Sequence, residues 1–192
     1  MSRAAMARHH EEIVGKAVVL LKERGIDGLS VADLMEAAGL THGGFYRHFA
    51  SKEALVAEAT RAAFDEIVSR LDTDTEAKGA REAVAEYVDR YLSLSHVERP
   101  AIGCPIAAYG TDVGRQSDVV RSAFADGLEG LCRRIAACLH AHHRDAQACA
   151  RQLVMTMAGA VVTARAAGDQ TLAKSILIDA RAVAEELIAN AP

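Results

Sequence analysis

Proline stands at positions 100, 105 and 192 of this 192-residue chain and nowhere else. A proline inside a helix removes a donor and clashes with the preceding turn, so nothing in the first half of the chain forbids long helices. Apolar residues recur three and four apart, as one face of a helix requires: Ile13, Ala17, Leu20 and Leu21, then Leu55, Ala59, Ala63, Ile67 and Leu71, then Val84, Tyr87, Val88, Tyr91 and Leu92, then Val120, Phe124, Leu128, Leu131, Ile135 and Leu139. The strict alternation of a half-buried strand is absent. The fold class expected is all-α, with about nine helices.

Caps and breakers set the expected boundaries. Gly25 stops a helix running from about Arg8 to Arg24, since glycine takes the left-handed conformation that ends helices. Ser30 is an expected N-cap for Val31–Ala38, its hydroxyl accepting from a free first-turn N–H. Gly39 ends that helix, Thr41 is expected to cap a third running to about His48, and Ser51 a fourth over about 51–72, before a polar break at Asp72–Lys78. A fifth is expected over about 79–96, then a short one at Pro105–Val113. Ser117 is the expected cap of a long helix, and His140–Asp145 reads as a polar turn. Two more helices follow, about 146–167 and 170–189, divided by Gly168-Asp169.

Hydrophobic residues make up 51% of the chain and charged ones 25%, a soluble globular balance. The longest nearly apolar stretch, Leu153 to Ala164, is well short of the roughly 18 residues of a membrane span. The start turns polar too early for a signal peptide, and a cytoplasmic location without membrane attachment is expected. Cys104, Cys132, Cys138 and Cys149 form no CxxC and are expected to be reduced and quiet. Net charge is −4, yet residues 1–61 hold eight Lys/Arg against eight Asp/Glu, and four of the eight histidines. A polyanion is therefore expected to meet the N-terminal end.

Aromatics are only 4% of the chain, yet three crowd into Gly39 to Phe49, GLTHGGFYRHF. Two short helices joined by a glycine turn make a helix-turn-helix. Phe45 and Phe49 lie four apart and share one face, expected to plug the underside with Leu40. Thr41, His42, Gly43, Gly44, Tyr46 and Arg47 are left on the other face or at the helix start. The start of the second helix in such units enters the DNA major groove. Glycine lets backbone approach a sugar-phosphate closely. Tyr46 and Thr41 can donate to phosphates, and Arg47 reaches a phosphate or a guanine edge.

Over about 45 residues from Glu12 to Val56 the chain closely resembles the N-terminal domain of TetR-family transcriptional repressors. The resemblance is carried by Ser30-Val31, Leu34, Ala38-Gly39-Leu40-Thr41, Gly43, Phe45-Tyr46, His48-Phe49 and Ser51-Lys52-Glu53-Ala54-Leu55. His42 stands where the family often has lysine, and Gly44 where it has a small hydroxyl or alanine. The resemblance implies a DNA-binding domain over 1–52 and a ligand-binding and dimerisation domain over 53–192. It implies DNA contacts from Ser30, Thr41, His42, Gly43, Gly44, Tyr46, Arg47 and Lys52, with Arg8 as an arm contact. It also implies a homodimer reading a near-palindromic operator and released by a small effector. No cofactor is implied.

The last two helices are apolar on most sides, which calls for burial on most sides. Leu153, Met157, Val161, Ile176, Val183 and Leu187 are the expected dimer face. An effector pocket is expected among Tyr87, Tyr91, Cys104, Tyr109, Phe124 and Met157, and its ligand is expected to be mostly apolar. Cys104 sits where a helix starts, a place that can lower a thiol pKa; an electrophile- or oxidation-sensing repressor is one alternative. A DNA-binding regulator without a ligand is another. No GxSxG, Walker A, GxGxxG or HExxH appears, so an enzyme is not expected. Cys138, His140, His142, His143 and Cys149 straddle the polar turn, and no metal site is expected of them.

Overall fold

A computed structural model describes residues 3–139 and 146–189, the side chain of His42 excepted. The described residues hold nine α-helices and no strand: α1 (Arg3–Arg24), α2 (Val31–Ala37), α3 (Lys52–Lys78), α4 (Ala80–Tyr91), α5 (Leu94–Glu98), α6 (Pro105–Val113), α7 (Asp118–Cys138), α8 (Ala146–Ala167) and α9 (Gln170–Ala189). His42–Arg47 and Pro100–Ile102 are 3₁₀ turns. The histidines at 140, 142 and 143 lie outside the described residues.

The expected punctuation is largely present. Gly25, Gly39 and Gly168 all take positive φ at helix ends, as does Gly79, which was not expected to end a helix. Ser30 Oγ accepts from Asp33 N–H at 3.0 Å, and Ser51 Oγ from Ala54 N–H at 3.2 Å. Thr41 and Ser117 make no side-chain cap bond.

α1 begins at Arg3, a turn earlier than the expected Arg8, and two further boundaries differ from expectation. The polar stretch 72–78 does not break α3, because its charges are satisfied by other helices: Asp72 pairs with Arg134 of α7, and Asp74 accepts from Arg90 of α4 at 2.8 Å. The expected fifth helix is split after Tyr91. Ser93 recaps the chain by accepting from His96 N–H at 3.2 Å, which starts α5 afresh.

Two apolar cores result. One joins α1, α2, the 3₁₀ turn and the first half of α3, and takes Tyr109, Val113 and Val120 from α6 and α7. The other gathers the second half of α3 with α4 and α7 to α9. α3 serves both, giving Leu55, Ala59 and Ala63 to the first and Phe64 and Leu71 to the second.

Candidate DNA interface and effector cavity

At the corner, Gly39 N–H donates to Glu36 O at 2.9 Å and Leu40 N–H to Met35 O at 2.8 Å, which satisfies the last carbonyls of α2. Phe45 and Phe49 are buried, with ring centroids 5.5 Å apart. The segment above them is a 3₁₀ turn where an α-helix was expected, closed by Gly44 N–H to Thr41 O and His48 N–H to Phe45 O, each 2.9 Å. Two adjacent glycines in six residues lower helix propensity, and a segment this short tightens readily into 3₁₀ geometry.

Outward from this base stand Thr41, Gly43, Tyr46 and Arg47, with Tyr46 68% exposed. A Cβ at Gly43 would meet nothing, and one at Gly44 only ordinary contacts to Met35 and Thr41. The fold does not demand these glycines, so the bare backbone is free to serve something outside. Ser30, the N-cap of α2, is exposed as well. Lys52 donates from Nζ to Ile26 O at 2.9 Å, so it ties the start of α3 to the loop after α1 and leaves its other protons free. Sequence reading missed the groove of about 430 Å³ between α1 and the turn, lined by Arg3, Met6, His10, Arg47 and His48. There His10 stacks on Phe49 at 4.6 Å and meets Glu58 at 2.5 Å. Partial burial and the neighbouring His10, His9 and Arg47 hold His48 below the usual imidazole range. The clustering of histidines near the N-terminus was the available signal.

Between α1, α3, α4 and the loop before α6 lies a cavity of about 590 Å³, of the size that holds a small molecule. Tyr87, Tyr91 and Cys104 line it as expected, joined by Lys22, Glu66, Ile67, Arg70, Arg90, His96 and Ile102. Tyr109, Phe124 and Met157 are not in its wall. Tyr109 lies in the first core, where its hydroxyl meets Thr60 at 3.4 Å; Phe124 packs edge-on to Phe64 at 5.5 Å; and Met157 is fully buried in the second core.

His96 fixes the wall. Its Nε2 accepts from Cys104 N–H at 3.2 Å, so its Nδ1 carries the proton donated to Tyr91 O at 2.8 Å. Burial takes this imidazole from 6.5 to about 4 despite the Tyr91 bond, with Arg165 and Lys22 adding to the depression. Arg165 of α8 donates to the carbonyls of His96, Ala107 and Val97 at 2.6, 2.9 and 3.1 Å, binding both sides of the wall to α8.

Cys104 corrects one expectation. Two helix-start N–H groups, from Ile106 and Ala107, do favour its thiolate, but burial outweighs them and pushes the thiol pKa up. The thiolate is the reactive form, so this environment suits a cavity wall better than a nucleophile.

The expected dimer face also divides. Leu153, Met157 and Val161 are fully buried against their own subunit's core. The outward side of α8 presents Met155 and Val162, seven residues apart, and α9 presents Leu172, Ile178 and Val183. Ile176 and Leu187 are half-buried.

Among the described residues the body is all-α, with no strand and no helix long and apolar enough to cross a membrane, and its N-terminal corner has a helix-turn-helix arrangement. Residues 13–59 match the family model described as bacterial regulatory proteins, tetR family. An HTH-type transcriptional regulator of Mycobacterium tuberculosis is 28% identical over 114 residues, 59% of this chain and 57% of that protein. The HTH-type transcriptional repressor DhaR of Mycobacterium sp. GP1 is 28% identical over 122 residues, 64% of this chain and 59% of that one. The match thus spans less than three fifths of these relatives' length. Among solved structures, a TetR-family regulator from Cytophaga hutchinsonii superposes with a TM-score of 0.81 at 20% identity, covering 98% of this chain and 97% of the other. The reduced form of E. coli NemR gives 0.79 at 20% identity, covering 93% and 96%. Residues 13–59 are thus similar to the tetR family of bacterial regulatory proteins, and the chain as a whole shares the fold of solved TetR-family regulators.

Proposed function

We propose that this protein is an effector-responsive repressor, cytoplasmic and homodimeric, that binds a near-palindromic operator and releases it when a small molecule enters the cavity lined by Tyr87, Tyr91 and Cys104. The observation that carries this reading is the corner itself: a buried Phe45–Phe49 base beneath an outward set of Thr41, Gly43, Tyr46 and Arg47 that the fold leaves uncommitted. Ser30, His42, Gly44 and Lys52 complete the proposed contact set. DhaR, a repressor by name, supports the direction of regulation. The fold neighbour FadR of Bacillus subtilis, solved with stearoyl-CoA at 19% identity and a TM-score of 0.69 over 93% of this chain and 97% of its own, supports a ligand in this fold. We place the domain division near residue 52, with α3 running on from one domain into the other.

The test is a mobility shift on the DNA upstream of the protein's own gene. Binding as one dimer, with a protected near-palindrome whose half-sites lie one turn apart, roughly 34–36 Å, is expected. Arg47→Ala is expected to weaken binding about tenfold or more if Arg47 holds a guanine edge. Affinity for that fragment equal to affinity for random duplex sinks the reading.

We assign the dimer contact to the outward stripes of α8 and α9. These centre on Met155, Val162, Leu172 and Val183 rather than on Leu153, Met157 and Val161, with Ile176 and Leu187 at the edge. Met155, exposed at 64%, then becomes buried in the pair. Met155→Glu is expected to yield a folded monomer by light scattering, because an unpaired carboxylate is expensive to bury. A dimer of unchanged dissociation constant rejects the assignment.

A further inference from the structure

Taking the cavity as the effector site, we infer that its ligand is an amphiphilic organic acid with a single anionic head, received by Lys22, and with an apolar or aromatic body lying against Tyr87 and Tyr91.

Lys22 carries the argument. Its side chain is only 5% exposed and lines the cavity. Its ammonium makes no hydrogen bond among the described residues, and its ion-pair partner there, Glu66, stands 3.6 Å away with 71% of its own side chain in solvent. An ammonium drawn out of water needs a close counter-charge, and this pairing is long and well hydrated at one end. Two further polar groups in the wall are also poorly satisfied. The hydroxyls of Tyr87 and Tyr91 are buried; that of Tyr87 finds no hydrogen-bond partner, and that of Tyr91 has only the weakly bonding Cys104 thiol beside it. Buried polar groups without good partners cost stability, and all three residues line the same cavity. A ligand bringing one anionic head and a polar acceptor on its body would satisfy all three.

The remaining lining sets the head's charge and the body's character. Arg90 is already held by Asp74 at 2.8 Å and Glu86 at 3.5 Å. Arg70 is exposed at the rim and makes no ion pair among the described residues. One buried cation and one rim cation, with Glu66 between them on the same helix as Arg70, suit a single carboxylate rather than a multiply charged phosphate group. Ile67, Ile102, Cys104 and the two phenol rings supply the apolar surface. The ligand expected from sequence as mostly apolar therefore gains a charged end. Lys22 also lies in the last turn of α1, a helix that buries Ile13, Ala17 and Leu21 in the core beneath the helix-turn-helix. An anion that draws on Lys22 acts directly on the helix that seats the DNA-reading corner.

The test uses the purified full chain without DNA, titrated by calorimetry at neutral pH with phenylbutyrate and decanoate, and with the matched alcohols and amines. Each acid is expected to bind about tenfold or more tightly than its alcohol, with the amine weakest, as a charge-assisted hydrogen bond requires. Lys22→Met keeps the apolar stem and removes the charge. It is expected to erase the acid preference while leaving alcohol affinity within about threefold, and retained alcohol binding reports an intact cavity. Acids that bind no better than their alcohols, including a panel giving no heat at all, overturn the inference, as does a Lys22→Met protein that keeps the preference. Because DNA is absent, failure to bind an operator leaves this result standing. Conversely, operator binding without an acid preference removes the ligand class alone.

Discussion

Replacing Phe45 by alanine is expected to destabilise the chain by about 3–5 kcal/mol, read as a lower urea midpoint at unchanged slope. Phe45 is fully buried beneath the recognition turn, with Phe49 5.5 Å away and the Tyr46 ring edge-on at 5.2 Å. A 3₁₀ turn containing two glycines has little helix propensity of its own, so its position depends on the side chains anchoring it from below. Removing the ring leaves a cavity in the core shared by α1, α2 and the first half of α3. The neighbouring residue is the contrast. Tyr46 is 68% exposed, and Tyr46→Ala is expected to shift stability by no more than about 0.5 kcal/mol while markedly weakening operator binding. Equal loss of stability from both substitutions would mean that the two faces of this turn are not divided between folding and contact.

Why this corner was readable without coordinates, while the cavity was only half readable, follows from the range of the interactions involved. The helix-turn-helix is made by neighbours in sequence: Ser30 caps Asp33, Gly39 turns the chain, and Phe45 and Phe49 lie four apart. The helix ends at Gly25 and Gly168 are likewise local, and both take positive φ. By contrast, α3 runs through a polar stretch because Arg134 and Arg90 reach it from distant helices, and no local pattern records that. Tyr87, Tyr91 and Tyr109 look alike as aromatics with a polar tip. Only packing separates the two that open on the cavity from the one whose hydroxyl meets Thr60. Lys22 was the least legible. A lysine in the last turn of a helix ordinarily reads as a surface charge complementing the helix dipole, and here the fold turns it inward. On α8, apolar residues occupy the core side and the outward side alike, so periodicity alone did not tell Leu153 from Met155 as a dimer contact.

The second large effect is a loss of stability in acid set by His96. Its imidazole is neutral in the fold, with a pKa of about 4 against the ordinary 6.5, because burial, with Arg165 and Lys22 adding to it, outweighs the opposing bond to Tyr91 O. The unfolded chain therefore binds a proton through this interval that the folded chain refuses. More protons on the unfolded state mean that stability rises with pH. The contribution is fully present above about pH 6.5, declines as pH falls through the interval, and is exhausted below about pH 4, where the loss totals about 3 kcal/mol. Between pH 7.5 and 5 the expected loss is about 2 kcal/mol. Carboxylates elsewhere also titrate in this range, so the comparison is between the wild type and His96→Gln, each unfolded by urea at both values. Glutamine keeps an amide able to bond either Tyr91 O or Cys104 N–H but carries no titrating group. Its stability is lower at pH 7.5, and its fall on acidification is shallower by the amount His96 supplied. The effect reaches the cavity too, since a protonated ring no longer accepts from Cys104 N–H, and the wall between Tyr91 and Cys104 loosens in the same interval. Parallel stability curves for the two proteins would show that the imidazole is not held neutral by the fold.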